Sequence, residues 1–485
     1  MGPQFSPAAR PLVLTARNLS PQHPRPARRQ ASPRKAPPGV PVGPDRPGLA
    51  VRRTAARLLG AVIETRTSLD GLVDNEHGHP HYLALSALDR SLVRAILGAT
   101  LRHRNAISAT IATRLDRPLP ANATALVHIL HVAIAQIACL DVPDRAAVDL
   151  AVTQAGDDPR TRRFAGLVNA ILRGVVRDKE SGRPVLPDVG EGPDWLRDRL
   201  AANYGYARST AILSALSHEA PVDFTVRGDA GTWATALGGI VLPTGSVRLR
   251  GLDGPVSELP GYGDGQWWVQ DAAAALPARL FGDIGGRDVA DVCAAPGGKT
   301  AQLAAAGARV TAVDLSANRL KRLGVNLQRL NLEARLLEAD LLRHDFAGEQ
   351  FDAVLLDAPC SSTGTIRRHP DVPWTKTPDD IAKLADLQRR MLDRAVDLVK
   401  PGGRLVFSNC SLDPMEGEAM LAALLADRAD VELDRIDADE IEGISPFVAP
   451  QGWLRTLPDG LPHEDPRLSG LDGFFAARLR RLPAV

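Results

Sequence analysis

Cys360 and Cys410 are the side chains best suited to covalent chemistry in this chain. Phe351 to Leu356 leads into Asp357-Ala358-Pro359-Cys360, and Arg404 to Phe407 leads into Asn409-Cys410-Ser411. Apolar runs of this length read as parallel strands covered on both faces, with the loop and long helix between them as the crossover. A right-handed crossover brings both carboxyl ends to one sheet edge, with neighbouring strands about 4.8 Å apart. Open α/β proteins bind ligands at that edge, so two thiols 50 positions apart are expected to meet over one substrate.

The loop that would serve such a site is Cys293-Ala294-Ala295-Pro296-Gly297-Gly298-Lys299-Thr300, between the run Asp288 to Val292 and the next helix. Its small residues let backbone amides approach a ligand at a helix N-terminus. Gly298-Lys299-Thr300 suggests a phosphate loop, but that motif needs glycine where Cys293 stands. The dinucleotide fingerprint is also absent. Asp314 ends the next strand, where a carboxylate can accept from both ribose hydroxyls, and Asp340 is expected to end the third strand in the same way. A glycine-rich loop followed by acids at successive strand ends suits an adenosyl ligand without phosphates, namely S-adenosylmethionine. Cys293 is expected to contribute backbone rather than sulfur, and Lys299 is a site residue whose role is open.

Thiols beside a methyl donor suit one reaction in particular. Carbon 5 of cytosine takes a methyl group only after a nucleophile has added at carbon 6, and a cysteine thiolate does this well. A free thiol has a pKa near 8.5, so the site should favour the anion. Asp357 can hydrogen-bond nitrogen 3 and the exocyclic amine, which stabilises the adduct and favours cytosine over uracil. A second thiol suits removal of the carbon-5 proton before the first is expelled.

The elements that must position these groups divide the chain into four stretches. Residues 1–48 are rich in proline and arginine, with Arg25, Arg28, Arg29, Arg34 and Lys35 close together. Such a leader cannot bury enough surface to order itself, and reads either as a basic arm or as inert. Residues 49–180 show apolar positions at spacings of three and four, with Pro118, Pro120 and Pro143 at breaks, which predicts an all-helical domain. Asp141-Val142-Pro143 and Gly166-Leu167-Val168-Asn169-Ala170-Ile171-Leu172-Arg173 resemble the RNA-binding fold of the NusB antitermination factor. On that resemblance Arg160, Arg162, Arg163 and Arg173 are candidate phosphate contacts. Residues 190–270 predict helix and then short glycine-rich strands, a small α/β linker domain. Its Pro193-Asp194-Trp195-Leu196 start and Val269-Gln270-Asp271 exit resemble the substrate-side domain of RNA cytosine methyltransferases, although Thr225-Val226-Arg227-Gly228 departs from that family's pattern.

Residues 271–485 alternate strand and helix, which predicts a doubly wound α/β (Rossmann-like) sheet of the class I methyltransferase type. Strands are expected at Asp288 to Val292, Arg309 to Leu315, Arg335 to Ala339, Phe351 to Leu356 and Arg404 to Phe407, with a helix from Pro414 to Ala426. Trp453 to Leu457 and Gly473 to Leu479 should close the sheet as an antiparallel pair.

Asp291-Val292 with the 293–300 loop, Ala312-Val313-Asp314, Asp357-Ala358-Pro359-Cys360-Ser361, and Ser408-Asn409-Cys410-Ser411 followed by Pro414, Glu416 and Glu418 together resemble the RNA cytosine-5 methyltransferase family. The likeness is to its NusB-fused bacterial branch, which modifies small-subunit ribosomal RNA, and it runs from about residue 50 to the end. Spacing leaves the order of the thiols open. The resemblance implies that Cys410 forms the covalent adduct and Cys360 assists its release, with S-adenosylmethionine as cofactor and ribosomal RNA as partner. Asn409 stands where that family commonly has threonine.

Composition bounds the remainder. A net charge of +1 gives no strong global field, so any nucleic-acid surface is a local patch. Four cysteines without a Cys-x-x-Cys pair predict reduced thiols and no structural metal, and His77, His79 and His81 lack partners at ligand spacing. Neither a membrane span nor a secretory signal is expected, which implies a cytoplasmic protein, read as a monomer. Cys139, inside the apolar stretch Ala123 to Leu140, is assigned to core packing. The rivals are a transfer RNA cytosine-5 methyltransferase, a uracil carbon-5 enzyme, an amino-group methyltransferase, which Asp-Ala-Pro-Cys disfavours for want of an aromatic, and a non-catalytic RNA-binding or assembly factor.

Overall fold

Helical periodicity from Leu49 onward becomes a bundle because one helix is apolar all round and must be enclosed. The computed structural model describes residues 46–252 and 254–483, so nearly all of the proline- and arginine-rich leader lies outside the described residues. The bundle comprises α1 (Leu49–Thr65), α2 (Leu69–Leu72), α3 (Pro80–Leu83), α4 (Ala87–Arg102), α5 (Arg104–Ala112), α6 (Thr124–Cys139), α7 (Asp144–Asp157) and α8 (Ala165–Glu180). Helix α6 is the central one and packs against α1, α4, α5, α7 and α8. Cys139 is its last residue and is exposed, not in the core as its neighbours suggested. The helix ends there, and the chain leaves the enclosed surface.

The polar side chains inside α6 are paired. Gln136 accepts from Arg52 Nε at 2.9 Å and donates to Val132 O at 2.8 Å. His131 places Nδ1 2.8 Å from Val127 O and Nε2 3.0 Å from Ser108 Oγ.

The linker domain carries α9 (Asp194–Tyr204), α10 (Tyr206–Leu216), β1 (Val222–Val226), α11 (Ala230–Leu237), β2 (Ile240–Val241), β3 (Val247–Leu249) and β4 (Trp267–Val269). Its strands form an antiparallel sheet in the order β2-β3-β1-β4. Asp223 and Arg248 form a fully buried bidentate pair at 2.6 and 2.7 Å across β1 and β3. Arg248 also donates to Leu468 O and Gly470 O, which fastens this sheet to the last domain.

That domain begins with α12 (Leu276–Arg279) and continues through β5 (Asp288–Val292), α13 (Gly298–Ala305), β6 (Arg309–Asp314), α14 (Ala317–Arg329), β7 (Arg335–Glu338) and β8 (Phe351–Asp357). It then runs through α15 (Val372–Thr375), α16 (Pro378–Leu398), β9 (Val399–Asn409), α17 (Glu418–Asp427), β10 (Val431–Leu433), β11 (Leu454–Thr456) and β12 (Phe474–Arg481). The strand order is β10-β12-β9-β8-β5-β6-β7, with β11 also on β12. Strands β9, β8, β5, β6 and β7 are parallel, and β12 is antiparallel to β9, β10 and β11. Along β8, Val354 and Leu356 enter one core while Ala353 and Leu355 enter another on the opposite face. A strand enclosed on both sides has to be apolar at every position.

The pairing of β11 with β12 agrees with the expected closing strands, whereas β10 was not expected. The expected helix from Pro414 is interrupted: Pro414–Glu416 forms a separate 3₁₀ turn before α17. A Cβ on the intervening Gly417 would lie 2.6 Å from the Arg455 guanidinium and 2.9 Å from the Phe475 ring, so close approach requires glycine there.

Among the described residues, the bundle, the linker and the last domain meet on the segment that follows β8. Arg102 donates to Arg367 O at 2.7 Å, Leu69 N to Asp371 Oδ2 at 2.9 Å, and Trp374 Nε1 to Leu101 O at 3.1 Å. From the linker, Trp195 Nε1 donates to Pro373 O at 3.1 Å. Arg368 pairs with Asp271 and, at 3.1 Å, with Asp472. Among the described residues no helix is long and apolar enough to cross a membrane.

Burial, followed by the nearby Arg104 charge, pushes His131 down to about 3, against about 6.5 when unfolded. The unfolded chain therefore binds this proton first as pH falls. The stability due to neutral His131 is complete above pH 6.5 and is lost towards pH 3, at up to about 1.4 kcal/mol per pH unit. Chemical denaturation of the wild type and His131→Gln across that window should show a shallower pH dependence in the variant, and equal slopes would refute the assignment.

Candidate functional site

Strand order reverses between β5 and β8. The chain winds outward through β5, β6 and β7 and then returns to the other side of β5, so the loops after β5 and β8 diverge and open a crevice. One bridge spans it: Lys299 Nζ, from the first turn of α13, lies 2.7 Å from Asp357 Oδ2 at the end of β8. The ammonium also sits 5.0 Å from the centre of the Phe474 ring. The other Asp357 oxygen accepts from Ser408 Oγ at 2.9 Å, on β9. Both carboxylate oxygens are thereby oriented, while about a third of the side chain remains open to solvent.

Cys360 and Cys410 lie just beyond this pair, with their sulfurs 3.4 Å apart and both half-buried. The parallel register of β8 and β9 aligns Asp357 with Ser408, which sends the two loops off side by side. Ala358 N donates to Ser408 O at 2.8 Å and Gly364 N to Cys410 O at 2.9 Å. The sulfurs share one hydrogen bond, and with the Cys360 thiol as its donor Cys410 is held below the ordinary thiol range and Cys360 well above it. Burial opposes ionisation of Cys410, and Lys299 adds a weaker pull towards the anion.

The loop from Cys293 curls back under β6. Cys293 adopts a left-handed conformation (φ 63°), and its sulfur packs towards the core, where burial pushes the thiol up. Ala294 N donates to Val313 O, and Ala295 N to Asp314 Oδ2, both at 3.1 Å. Pro296 is exposed at the tip of the loop. Gly297 (φ 106°) admits no side chain, because a Cβ there would meet Leu323 Cγ at 2.6 Å. Gly298 then begins α13.

Asp314 is buried, and its second oxygen accepts from Ser316 N at 3.0 Å. Asp340 differs from expectation: β7 ends at Glu338, and Asp340 starts the following turn, accepting from Leu342 N at 3.0 Å. The chain has already left the sheet, so Asp340 caps a turn at the crevice edge.

Two residues without an expected role take part. Ser408 orients Asp357. Asp291, the penultimate residue of β5, is 1% exposed and accepts from Thr300 Oγ1 at 2.5 Å, while its Oδ1 has no partner. Burial pushes its carboxyl up to about 7. An acid inside the apolar run Val289-Ala290-Asp291-Val292 was the available sequence signal. An unpartnered buried acceptor beside a glycine-rich helix start suits a ligand ammonium group. Asp314 suits vicinal hydroxyls, and the exposed Leu315 beside it offers an apolar face to a heterocycle. This set fits S-adenosylmethionine. Among the described residues no cluster of three or more His, Cys, Asp or Glu could hold a metal ion.

In the helical domain, Arg160 pairs with Asp158 at 2.7 Å, Arg162 Nε donates to Gly156 O at 3.0 Å, and the Arg163 guanidinium lies 4.7 Å from the Phe164 ring centre. All three, and Arg173, are exposed.

Comparison with known proteins follows the same division. Residues 285–480 match the family described as 16S rRNA methyltransferase RsmB/F, and residues 49–177 match the NusB family. Ribosomal RNA small subunit methyltransferase B of Vibrio cholerae is 34% identical over 400 residues, covering 79% of this chain and 91% of that protein. The proteins of the same name from Xanthomonas campestris and Xylella fastidiosa (strain Temecula1) are each 36% identical, covering 81% and 89% of this chain and 91% and 98% of their own lengths. Among solved structures, that of PH0851 superposes with a TM-score of 0.67 at 22% identity, over 90% of this chain and 99% of the other, which demonstrates a shared fold.

Because the Cys360 proton is what holds Cys410 low, Cys360→Ala should raise the pH midpoint for alkylation of Cys410. Iodoacetamide labelling read by mass spectrometry from pH 6 to 10 checks this, and a midpoint that stays put or falls contradicts it.

Proposed function

We propose, for a chain that belongs to the ribosomal RNA small subunit methyltransferase B family and is an S-adenosylmethionine-dependent RNA methyltransferase, that the methylated atom is carbon 5 of a cytosine in small-subunit ribosomal RNA. The observation that carries this reading is the thiol pair: two half-buried sulfurs 3.4 Å apart beside an oriented carboxylate. Methylation of an amino group needs no such pair, because nitrogen has its own lone pair to offer.

S-adenosylmethionine, when bound, supplies an electrophilic methyl group on a sulfonium centre. Its holders in this proposal are the backbone from Cys293 through Ala294, Ala295, Pro296, Gly297 and Gly298, the carboxylates of Asp314 and Asp291, and Asp340 at the edge. Asp357 and Lys299 stand between that loop and the thiols.

Cys410 adds to carbon 6 of the ring, forming a carbon–sulfur bond and moving electron density to carbon 5. Asp357 accepts from the exocyclic amine and orients the ring, and the Lys299 ammonium beside it offsets the negative charge that develops there. Lys299 holds Asp357 in place, and its positive charge favours the Cys410 thiolate. Once carbon 5 carries its methyl group it also holds a proton that must leave. Cys360 serves this step as a thiolate: it takes the proton, the ring double bond re-forms, and Cys410 departs with the electrons of the carbon–sulfur bond. The same shared proton that lowers Cys410 keeps Cys360 protonated in the free enzyme. The base role therefore begins only after Cys410 has been consumed in the adduct and the Cys360 proton has passed to solvent.

The helical domain and its exposed arginines at 160, 162, 163 and 173 are assigned to the RNA backbone. Clustered guanidiniums displace counterions from phosphates, so this contribution should weaken steeply with salt.

Two variants test the covalent order. Cys360→Ser should accumulate a protein–RNA adduct stable to denaturing electrophoresis and lose about a hundredfold or more in turnover, as expected for a missing base. Cys410→Ala should form no adduct and leave no methyl group on RNA. Adducts from both variants, or from neither, would overturn the assigned roles. Bisulfite mapping of ribosomal and transfer RNA from a deletion strain should reveal the lost mark in small-subunit ribosomal RNA.

A further inference from the structure

We propose that Glu416 is a positioning residue that sets the separation of the two thiols by clamping the serine that follows each of them. Its catalytic meaning rests on the cysteine roles proposed above, whereas the clamp itself is a geometric claim.

Glu416 lies in the 3₁₀ turn Pro414–Glu416, and its side chain is completely buried. Oε1 accepts from Ser361 N at 2.9 Å and from Gln388 Nε2 at 2.8 Å. Oε2 accepts from the hydroxyls of Ser361 and, at 2.6 Å, Ser411. Ser361 follows Cys360 and Ser411 follows Cys410, so one carboxylate holds the neighbour of each sulfur, and Gln388 ties it to α16.

The direction of these bonds is constrained. Asp413 N donates to Ser411 Oγ at 3.0 Å, which occupies that oxygen as an acceptor and leaves its proton for Glu416. Ser411 N donates to Asn409 Oδ1 at 3.0 Å, while Asn409 Nδ2 donates to Glu416 O at 2.6 Å, so the turn also grips the end of β9. Leu412 N donates to Thr363 Oγ1 at 2.9 Å and stitches the two loops once more. Four donors converge on one buried carboxylate. Donor convergence of this kind requires an acceptor with two oxygens, and a neutral amide would present its own hydrogens to one side of the ring of donors.

Without the clamp the loops after β8 and β9 keep their backbone contacts, Thr363 and the weaker 3.1 Å contact between the Ser361 and Ser411 hydroxyls, and the sulfurs should spread. A displacement of about 1 Å can cost about a hundredfold in rate when two groups must act on one ring. Glu416→Ala and the isosteric Glu416→Gln are therefore expected to lower kcat by about a hundredfold and about tenfold, with KM for RNA within about twofold of the wild type.

The discriminating readout is independent of methylation. Diamide oxidises a thiol pair to a disulfide: the S–S bond forms, both thiol protons pass to the diamide nitrogens, and its N=N bond is reduced to a hydrazine. In the full-length protein without RNA or donor, the Cys360–Cys410 disulfide should form at least about tenfold more slowly in either variant. Alkylation of the exposed Cys139 should proceed at the wild-type rate, as a control for folding. If Glu416→Ala does not fold, Glu416→Gln carries the test alone. Wild-type cross-linking in a folded variant overturns the proposal, and so does a loss of kcat with cross-linking unchanged. Slowed cross-linking in a protein whose wild type leaves no methyl group on RNA would uphold the clamp and overturn the RNA reading instead.

Discussion

The parallel pairing of β8 with β9 is the constraint on which the site depends. Its register aligns Asp357 with Ser408, and the serine hydroxyl then fixes one oxygen of the aspartate. The sulfurs follow three and two residues later and come within 3.4 Å. A slip of one residue would send alternate side chains to the opposite face and separate all of these groups. The slip is prevented by the core, since β8 buries apolar side chains on both of its faces. Catalytic geometry and hydrophobic burial are therefore a single requirement here.

Charge is arranged to match. The ion pair between Lys299 and Asp357 joins the loop after β5 to the end of β8. It places a carboxylate beside two sulfurs, which by itself would discourage a thiolate. The Lys299 ammonium and the proton donated by Cys360 act in the other sense, and Cys410 ends below the ordinary thiol range. Asp291, deeper in β5, keeps an oxygen without a partner, a costly arrangement in an apolar interior unless a ligand completes it.

The helical domain and the linker are held in register with this chemistry by the segment after Cys360. Arg102, Leu69, Leu101 and Trp195 all reach residues between Arg367 and Trp374. The loop that carries one thiol thus continues directly into the junction of the three parts, and RNA held on the helical bundle would be presented to a crevice at a defined distance. Asp223 with Arg248, and Arg368 with Asp271 and Asp472, reinforce the junction with buried polar pairs.

Much of this was legible in the residues themselves. Apolar runs bounded by loops marked five parallel strands, the 3.6-residue period marked the helical bundle, and the thiols, the small-residue loop and Asp314 announced themselves by standing at strand ends. These are local signals, because a strand covered on both faces and a helix with one buried face each impose a pattern on contiguous residues. The ordering of the thiols came from resemblance. Other features depended on contacts between residues far apart in the chain: the three-residue strand Val431–Leu433, the exposure of Cys139 where α6 ends, Asp340 leaving the sheet, the Lys299–Asp357 bridge, and the carboxylate of Glu416 between two serines 50 positions apart. No periodicity encodes such contacts. They exist because folding brings polar groups into a space without water, where each must find its partner from whatever the tertiary structure has placed beside it.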